Sequence, residues 1–103
     1  MAVRANNKQF KNKTMKKTIW KFPLVIKDAQ IIEMPKKAEF LTVQMQNGIA
    51  CLWAMVDPSE EKERRLIEII GTGNPVEMGI ERKYIATFQL YEGQLVFHVF
   101  ERW

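Results

Sequence analysis

The sequence predicts a mainly β domain, a compact antiparallel sandwich or small barrel of six to seven strands. Three observations carry that expectation. Apolar residues alternate with period two along most of the chain after Thr18. Asn47-Gly48 and Glu92-Gly93 each sit between apolar runs of hairpin length. Gly and Pro punctuate what remains, and no long helical stripe survives between them.

Taken in order, Thr18–Lys27 places Trp20, Phe22, Leu24 and Ile26 on one face. Pro23 marks this strand as an edge or a bulged one, because proline cannot donate to a ladder. Ala29–Met34 is a shorter strand, ended by Pro35 and the Lys36-Lys37 turn. In Glu39–Val56 the Asn47-Gly48 turn sets Leu41, Val43 and Met45 opposite Ala54, Leu52 and Ala50 as core. Phe40, Thr42, Gln44 and Gln46 then oppose Met55, Trp53, Cys51 and Ile49. That second face is mixed, and a second sheet, an oligomer partner or a ligand would cover it.

Asp57-Pro58-Ser59-Glu60 carries a helix-start signature, so a short helix over 58–66 is one reading. The other is a charged loop to about residue 62 and a strand ending at Ile70. Gly71-Thr72-Gly73-Asn74-Pro75 ends that run, and 74–83 reads as loop. Tyr84–Tyr91 and Gln94–Trp103 make the second hairpin. Ala86, Phe88 and Leu90 face Val99, Phe97 and Leu95 as core, while Ile85, Thr87, Gln89 and Tyr91 meet Phe100, His98, Val96 and Gln94.

The chain has 103 residues and a formal charge of +4, enough for one domain. At 47% hydrophobic and 27% charged it is globular in composition. The charge is uneven. Residues 1–17 hold six of the sixteen Lys and Arg and no acid, whereas the remaining 86 residues hold ten bases against all twelve acids. The expected organisation is a basic tail over 1–17 and a slightly acidic β domain over 18–103. The tail could be an arm meeting nucleic acid phosphates, a solvated leader, or in part a start-site effect, since Met15 offers a second start. No segment resembles a secretory signal or a membrane helix, and cytoplasmic is the default compartment.

The chemical inventory is thin. The chain has one Ser (Ser59), one Cys (Cys51), one His (His98) and two Asp (Asp28, Asp57). Ser59 lies in a charged loop without a nucleophile elbow. A Cys51–His98 pairing is conceivable on the mixed faces, against the ordinary reading of Cys as a small buried hydrophobe. One Cys and one His cannot complete a structural zinc site. A non-enzymatic protein without metal or cofactor is therefore expected.

The ligand-binding candidates are of two kinds. Gly71, Thr72, Gly73 and Asn74 could cradle a phosphate with backbone N–H groups, or simply form a tight turn. Arg64, Arg65 and Arg82 flank that segment as phosphate contacts or as a solvated rim. Trp53, across from Thr42 on the mixed face, could stack a base, as could Trp20, Tyr84, Phe100 and Trp103. His98 completes the candidate set.

Ile19-Trp20-Lys21-Phe22-Pro23-Leu24, Glu33-Met34-Pro35, Val43 to Gly48, Cys51-Leu52-Trp53-Ala54, Val56-Asp57-Pro58, Gly71 to Pro75, Tyr84 to Phe88 and His98-Val99-Phe100-Glu101 together resemble a widespread family of small tailed-phage proteins of unknown function. The resemblance covers about residues 18–101, and the family's members start just before the Ile-Trp-Lys-Phe-Pro motif. It implies a counter-defence protein acting in an infected bacterial cell. Its expected role is to sequester a cyclic nucleotide immune signal, with the pocket between subunits of a homo-oligomer. A protein-binding module, or a nucleic-acid binder using residues 1–17, are the alternatives.

Overall fold

Seven strands form in the order β1 (Thr18–Pro23), β2 (Ala29–Pro35), β3 (Glu39–Gln46), β4 (Ile49–Val56), β5 (Lys62–Gly71), β6 (Arg82–Leu90) and β7 (Leu95–Arg102). This computed structural model describes residues 16–103, so most of the basic segment expected at 1–17 lies outside the described residues. The strands build two antiparallel sheets, ordered β1-β4-β3 and β2-β5-β7-β6. They pack face to face as a small β sandwich. Among the described residues there is no helix.

Alternation places the core. Val43, Leu52 and Ala54 face inward from one sheet, and Met34, Ile67, Phe88 and Val99 from the other. Each large side chain buried in this way contributes about 1.5–3 kcal/mol. Phe88 and Phe97 stack within the second layer, with ring centroids 5.4 Å apart. The two edge strands β1 and β2 each end on a proline, Pro23 and Pro35. The other two terminal strands, β3 and β6, run beside each other along one side of the sandwich without joining the sheets into one ladder.

Several expectations need correction. The first strand stops at Pro23. Residues 24–28 instead carry the chain from one sheet to the other, and Ile26 is exposed. The Gln30 side chain holds this crossing by accepting from Val25 N–H and donating to Val25 O.

No helix forms over 58–66. Asp57 does accept from Ser59 N at 3.0 Å, as a cap would, but the turn closes with Glu60 N donating to Asp57 O and β5 begins at Lys62. Burial of Ile67 and Ile69 on alternate positions outweighs a local helix start.

Two β-bulges shift the hairpin registers. The first, between Phe40 and Thr42, sets Phe40 rather than Leu41 opposite Ala54. Leu41 is consequently 45% exposed, and Phe40 packs against the core. The second, between Tyr84 and Ala86, pairs Tyr84 rather than Ile85 with Phe100, and Ile85 turns toward the core. An extra residue on one strand inverts every side chain beyond it.

The turn at Asn47-Gly48 has positive φ at both residues, as expected. The second hairpin is wider than expected. Leu90 and Leu95 form its last pair, and Tyr91, Glu92 and Gly93 all take positive φ.

Candidate functional site

The sequence-derived candidates fall at separate places on this frame. Trp53 and Thr42 are cross-strand partners on the outer face of the three-stranded sheet. There Trp53 is half-buried beneath Lys21, whose Nζ lies 5.8 Å from the ring centroid. His98 and Arg82 lie on the outer face of the other sheet, as neighbours of buried Val99 and across from Arg102. Trp53 and the glycine segment therefore cannot share one ligand pocket within a chain.

Gly71–Asn74 forms a tight turn. Asn74 N donates to Gly71 O at 3.1 Å, and Thr72 N donates to Val96 O at 3.0 Å. Two of the N–H groups an anion would need are thus used inside the fold. A Cβ at Gly71 would stand 3.0 Å from Asn74 Nδ2, so the exposed Asn74 amide would have to give by a few tenths of an ångström.

Thr72 instead begins a hydrogen-bonded chain. Its Oγ1 lies 3.3 Å from Val96 O and 2.7 Å from His98 Nε2, and His98 Nδ1 lies 3.0 Å from Thr87 Oγ1, itself 2.6 Å from Tyr84 Oη. With Thr72 donating to Val96 O, one consistent assignment remains for a neutral ring. His98 Nε2–H donates to Thr72, Thr87 donates to Nδ1, and Tyr84 donates to Thr87. Cys51 is buried in the opposite sheet and its Sγ contacts Ile49 O at 3.6 Å. The Cys51–His98 pairing is not formed.

The three arginine candidates have different fates. Arg82 is committed to Glu68, donating from Nε at 2.7 Å and Nη2 at 3.3 Å, and Arg102 adds a third contact to the same carboxylate at 3.3 Å. These hydrogen bonds hold the Arg82 guanidinium above its ordinary pKa. Arg65 points into the sandwich. Its Nε bonds Glu101 Oε2 and its Nη2 donates to Glu101 Oε1 at 3.0 Å. Nη1 reaches Ala38 O and Glu63, and the guanidinium stacks on Phe40 at 4.4 Å. The bond to Glu101 raises the Arg65 pKa against the opposing cost of burial.

Arg64 remains. As the neighbour of inward Arg65 on a strand it faces outward, is exposed, and has no ion-pair partner among the described residues. It stands where β2 ends, β5 begins and β7 ends, because Pro35 pairs with Lys62 and Leu66 with Arg102. A cleft of about 770 Å³ opens at this corner. Lys36, Lys37, Arg64, Arg65 and Arg102 line it against only Glu63 and Glu101, and Trp103 stands at it 67% exposed. Lys37 takes positive φ in the turn from β2 to β3. The Lys36–Glu61 contact at 3.4 Å is a surface pair of little weight. Gly71 lies at the far end of β5, roughly 23 Å from Arg64 at about 3.3 Å per residue.

Of the expected ligand-binding residues, this corner gathers Arg64 and Arg65 and leaves out Trp53, Thr42, Gly71, Thr72, Gly73, Asn74, Arg82 and His98. Sequence reasoning missed Lys36, Lys37 and Arg102 as site residues. The adjacent lysines after Pro35 were a visible signal, but only the β2–β5–β7 register brings them to Arg64. Among the described residues no group of His, Cys, Asp and Glu could hold a metal ion, and no helix is long and apolar enough to cross a membrane.

Comparisons with curated proteins and with solved structures return no match. Over residues 15–103 the sequence matches the family described as a domain of unknown function, DUF7352, and the chain belongs to that family.

Proposed function

We propose that this domain is a non-enzymatic binding protein for a cyclic nucleotide, acting as a sponge that withholds the messenger from a bacterial immune system. The observation that carries the reading is the cationic corner. Lys36, Lys37, Arg64 and Arg102 gather around one cleft with an exposed indole beside them. Cations meet phosphates and an aromatic face meets a base, which is the pairing a nucleotide needs. The volume also lies within the roughly 300–1,000 Å³ of small-ligand sites. The resemblance to small tailed-phage proteins supplies the biological setting of the proposal.

Isothermal titration and thermal shift against cyclic mono-, di- and trinucleotides test it. A ligand present at a hundred times its Kd adds about 2.7 kcal/mol. For a domain of this size that is a rise of roughly 10–20 °C in Tm. Arg64→Glu and Lys37→Glu are expected to abolish the shift while leaving the unliganded Tm near its original value, since both residues are exposed. No heat and no shift across the panel overturns the proposal.

A further inference from the structure

The cationic cleft is rich in side-chain donors and has one open side-chain acceptor. Its lysines, its arginines and the Trp103 indole can only donate, and Ala38 and Leu66 carry no polar side-chain atom. That leaves two carboxylates. Glu101 is 5% exposed, and Arg65 takes both of its oxygens. Glu63 has 36% of its side chain exposed. Its Oε2 accepts from Arg65 Nη1 at 3.3 Å and from the Lys37 backbone N–H at 3.4 Å. Its Oε1 accepts from no group among the described residues. Glu63 is therefore oriented through one oxygen and open at the other.

The strand ends explain how Glu63 comes to border the same opening as the outward Arg64. β7 stops at Arg102, opposite Leu66, whereas β5 begins at Lys62. Lys62 to Arg65 thus have β2 on one side and the cleft on the other, and side chains from both faces of β5 line it. Trp103 shares the face of Glu63. Its N–H donates to Glu81 O at 3.1 Å, which carries the β7 alternation past Arg102 and sets the indole on the side of Glu101. Arg65 joins the two positions by bonding Glu101 and Glu63 at once. From that pair, Trp103 is one step of two residues along β7 and Glu63 one such step along β5, about 7 Å each. A base on the indole thus has Glu63 as the acceptor for its edge. Lys37, bonded to that carboxylate through its backbone, holds its ammonium beside it for a phosphate.

Bases differ in what they offer a carboxylate. On its pairing edge guanine alone among the common bases presents two adjacent donors, N1–H and the 2-amino group. Adenine sets its amino donor beside the N1 lone pair, which a carboxylate repels. We infer that Glu63 reads the base of the bound nucleotide and selects guanine, with Trp103 as the stacking face. The inference rests on the nucleotide-binding proposal above and names its base.

Titration of the full chain with the guanine, inosine and adenine forms of 3′,5′-cyclic mononucleotides, and of the cyclic di- and trinucleotides, tests it. Within the ring size that binds, the guanine form is expected to bind about 5- to 150-fold more tightly than the adenine form, the range of one good bidentate contact to a base. The inosine form keeps N1–H, lacks the 2-amino group and falls between them. Glu63→Gln still accepts from Arg65 and Lys37 through its amide oxygen and turns its NH2 toward the base, so the guanine preference is lost or reversed. Thermal melts of the unliganded variant separate lost selectivity from lost folding, and the inosine comparison needs no variant. If no nucleotide binds, the nucleotide proposal falls, and this inference with it. If an adenine form binds as tightly as its guanine counterpart, or Glu63→Gln folds and leaves the ratio unchanged, the nucleotide proposal stands and the guanine inference is overturned.

Discussion

Replacing Arg65 with Met would strand a charge inside the sandwich. Glu101 is 5% exposed, and both of its carboxylate oxygens are bonded by Arg65. No other side chain among the described residues donates to it at hydrogen-bond distance. Removing one partner of a buried ion pair typically costs about 3–5 kcal/mol, because the remaining charge is desolvated and unpaired. The same change takes the guanidinium off the Phe40 ring and the donor from Ala38 O. Against a total stability of about 5–15 kcal/mol, Arg65→Met leaves a marginal protein. Its Tm would fall by roughly 12–40 °C, at about 4–8 °C per kcal/mol. Removing both charges, with Arg65→Met and Glu101→Leu together, leaves nothing uncompensated and is expected to restore stability to within about 1 kcal/mol of the parent. Urea unfolding followed by tryptophan fluorescence, on the parent, both single variants and the double, measures the cycle. A single-variant loss below about 1 kcal/mol would refute the reasoning. So would a double variant no more stable than Arg65→Met.

Two further predictions test the backbone. Because the first bulge turns Leu41 out and Phe40 in, Leu41→Lys should change unfolding free energy by no more than about 0.5 kcal/mol. Phe40→Lys should cost at least about 2 kcal/mol, and the reverse order in urea titrations would restore the regular register. Gly48 has φ +80°, and a Cβ placed there would meet nothing within 4 Å, so Gly48→Ala carries only a backbone penalty of about 1–2 kcal/mol. A neutral Gly48→Ala by thermal melt contradicts the assigned turn.

The β character of the chain was legible because period-two alternation is local. Both hairpins were legible for the same reason, with their core pairs Val43–Leu52 and Phe88–Phe97 correctly opposed. The bulges were not. Phe40 and Leu41 are both apolar, as are Tyr84 and Ile85 in large part, so either register satisfies the hydrophobic pattern and only the meeting of the two sheets decides. Asp57 was ambiguous in another way. Its carboxylate caps Ser59 N whether a helix or a single turn follows.

At the site, Arg64-Arg65 was visible as a pair, yet neighbours on a strand point to opposite faces and the pair divides. Which one enters the core depends on Glu101, 36 residues away. The glycine segment misled because a tight turn and an anion cradle use the same residue types. They differ in where the N–H groups are spent, and here Val96 and Gly71 take them.

The two prolines that end β1 and β2 bear on behaviour at high concentration. A β sandwich without helices to cover it exposes sheet edges as templates on which other chains can add strands. Here β3 and β6 shield one another, so the exposed risk falls on β1 and β2. Pro23 and Pro35 each remove a donor at the end of such an edge, and the crossing at 24–28 is occupied by the Gln30 amide where an incoming strand would bond. Under the proposal that this domain titrates a small molecule, protection of this kind matters, since capacity grows with concentration and so does the tendency to form fibres.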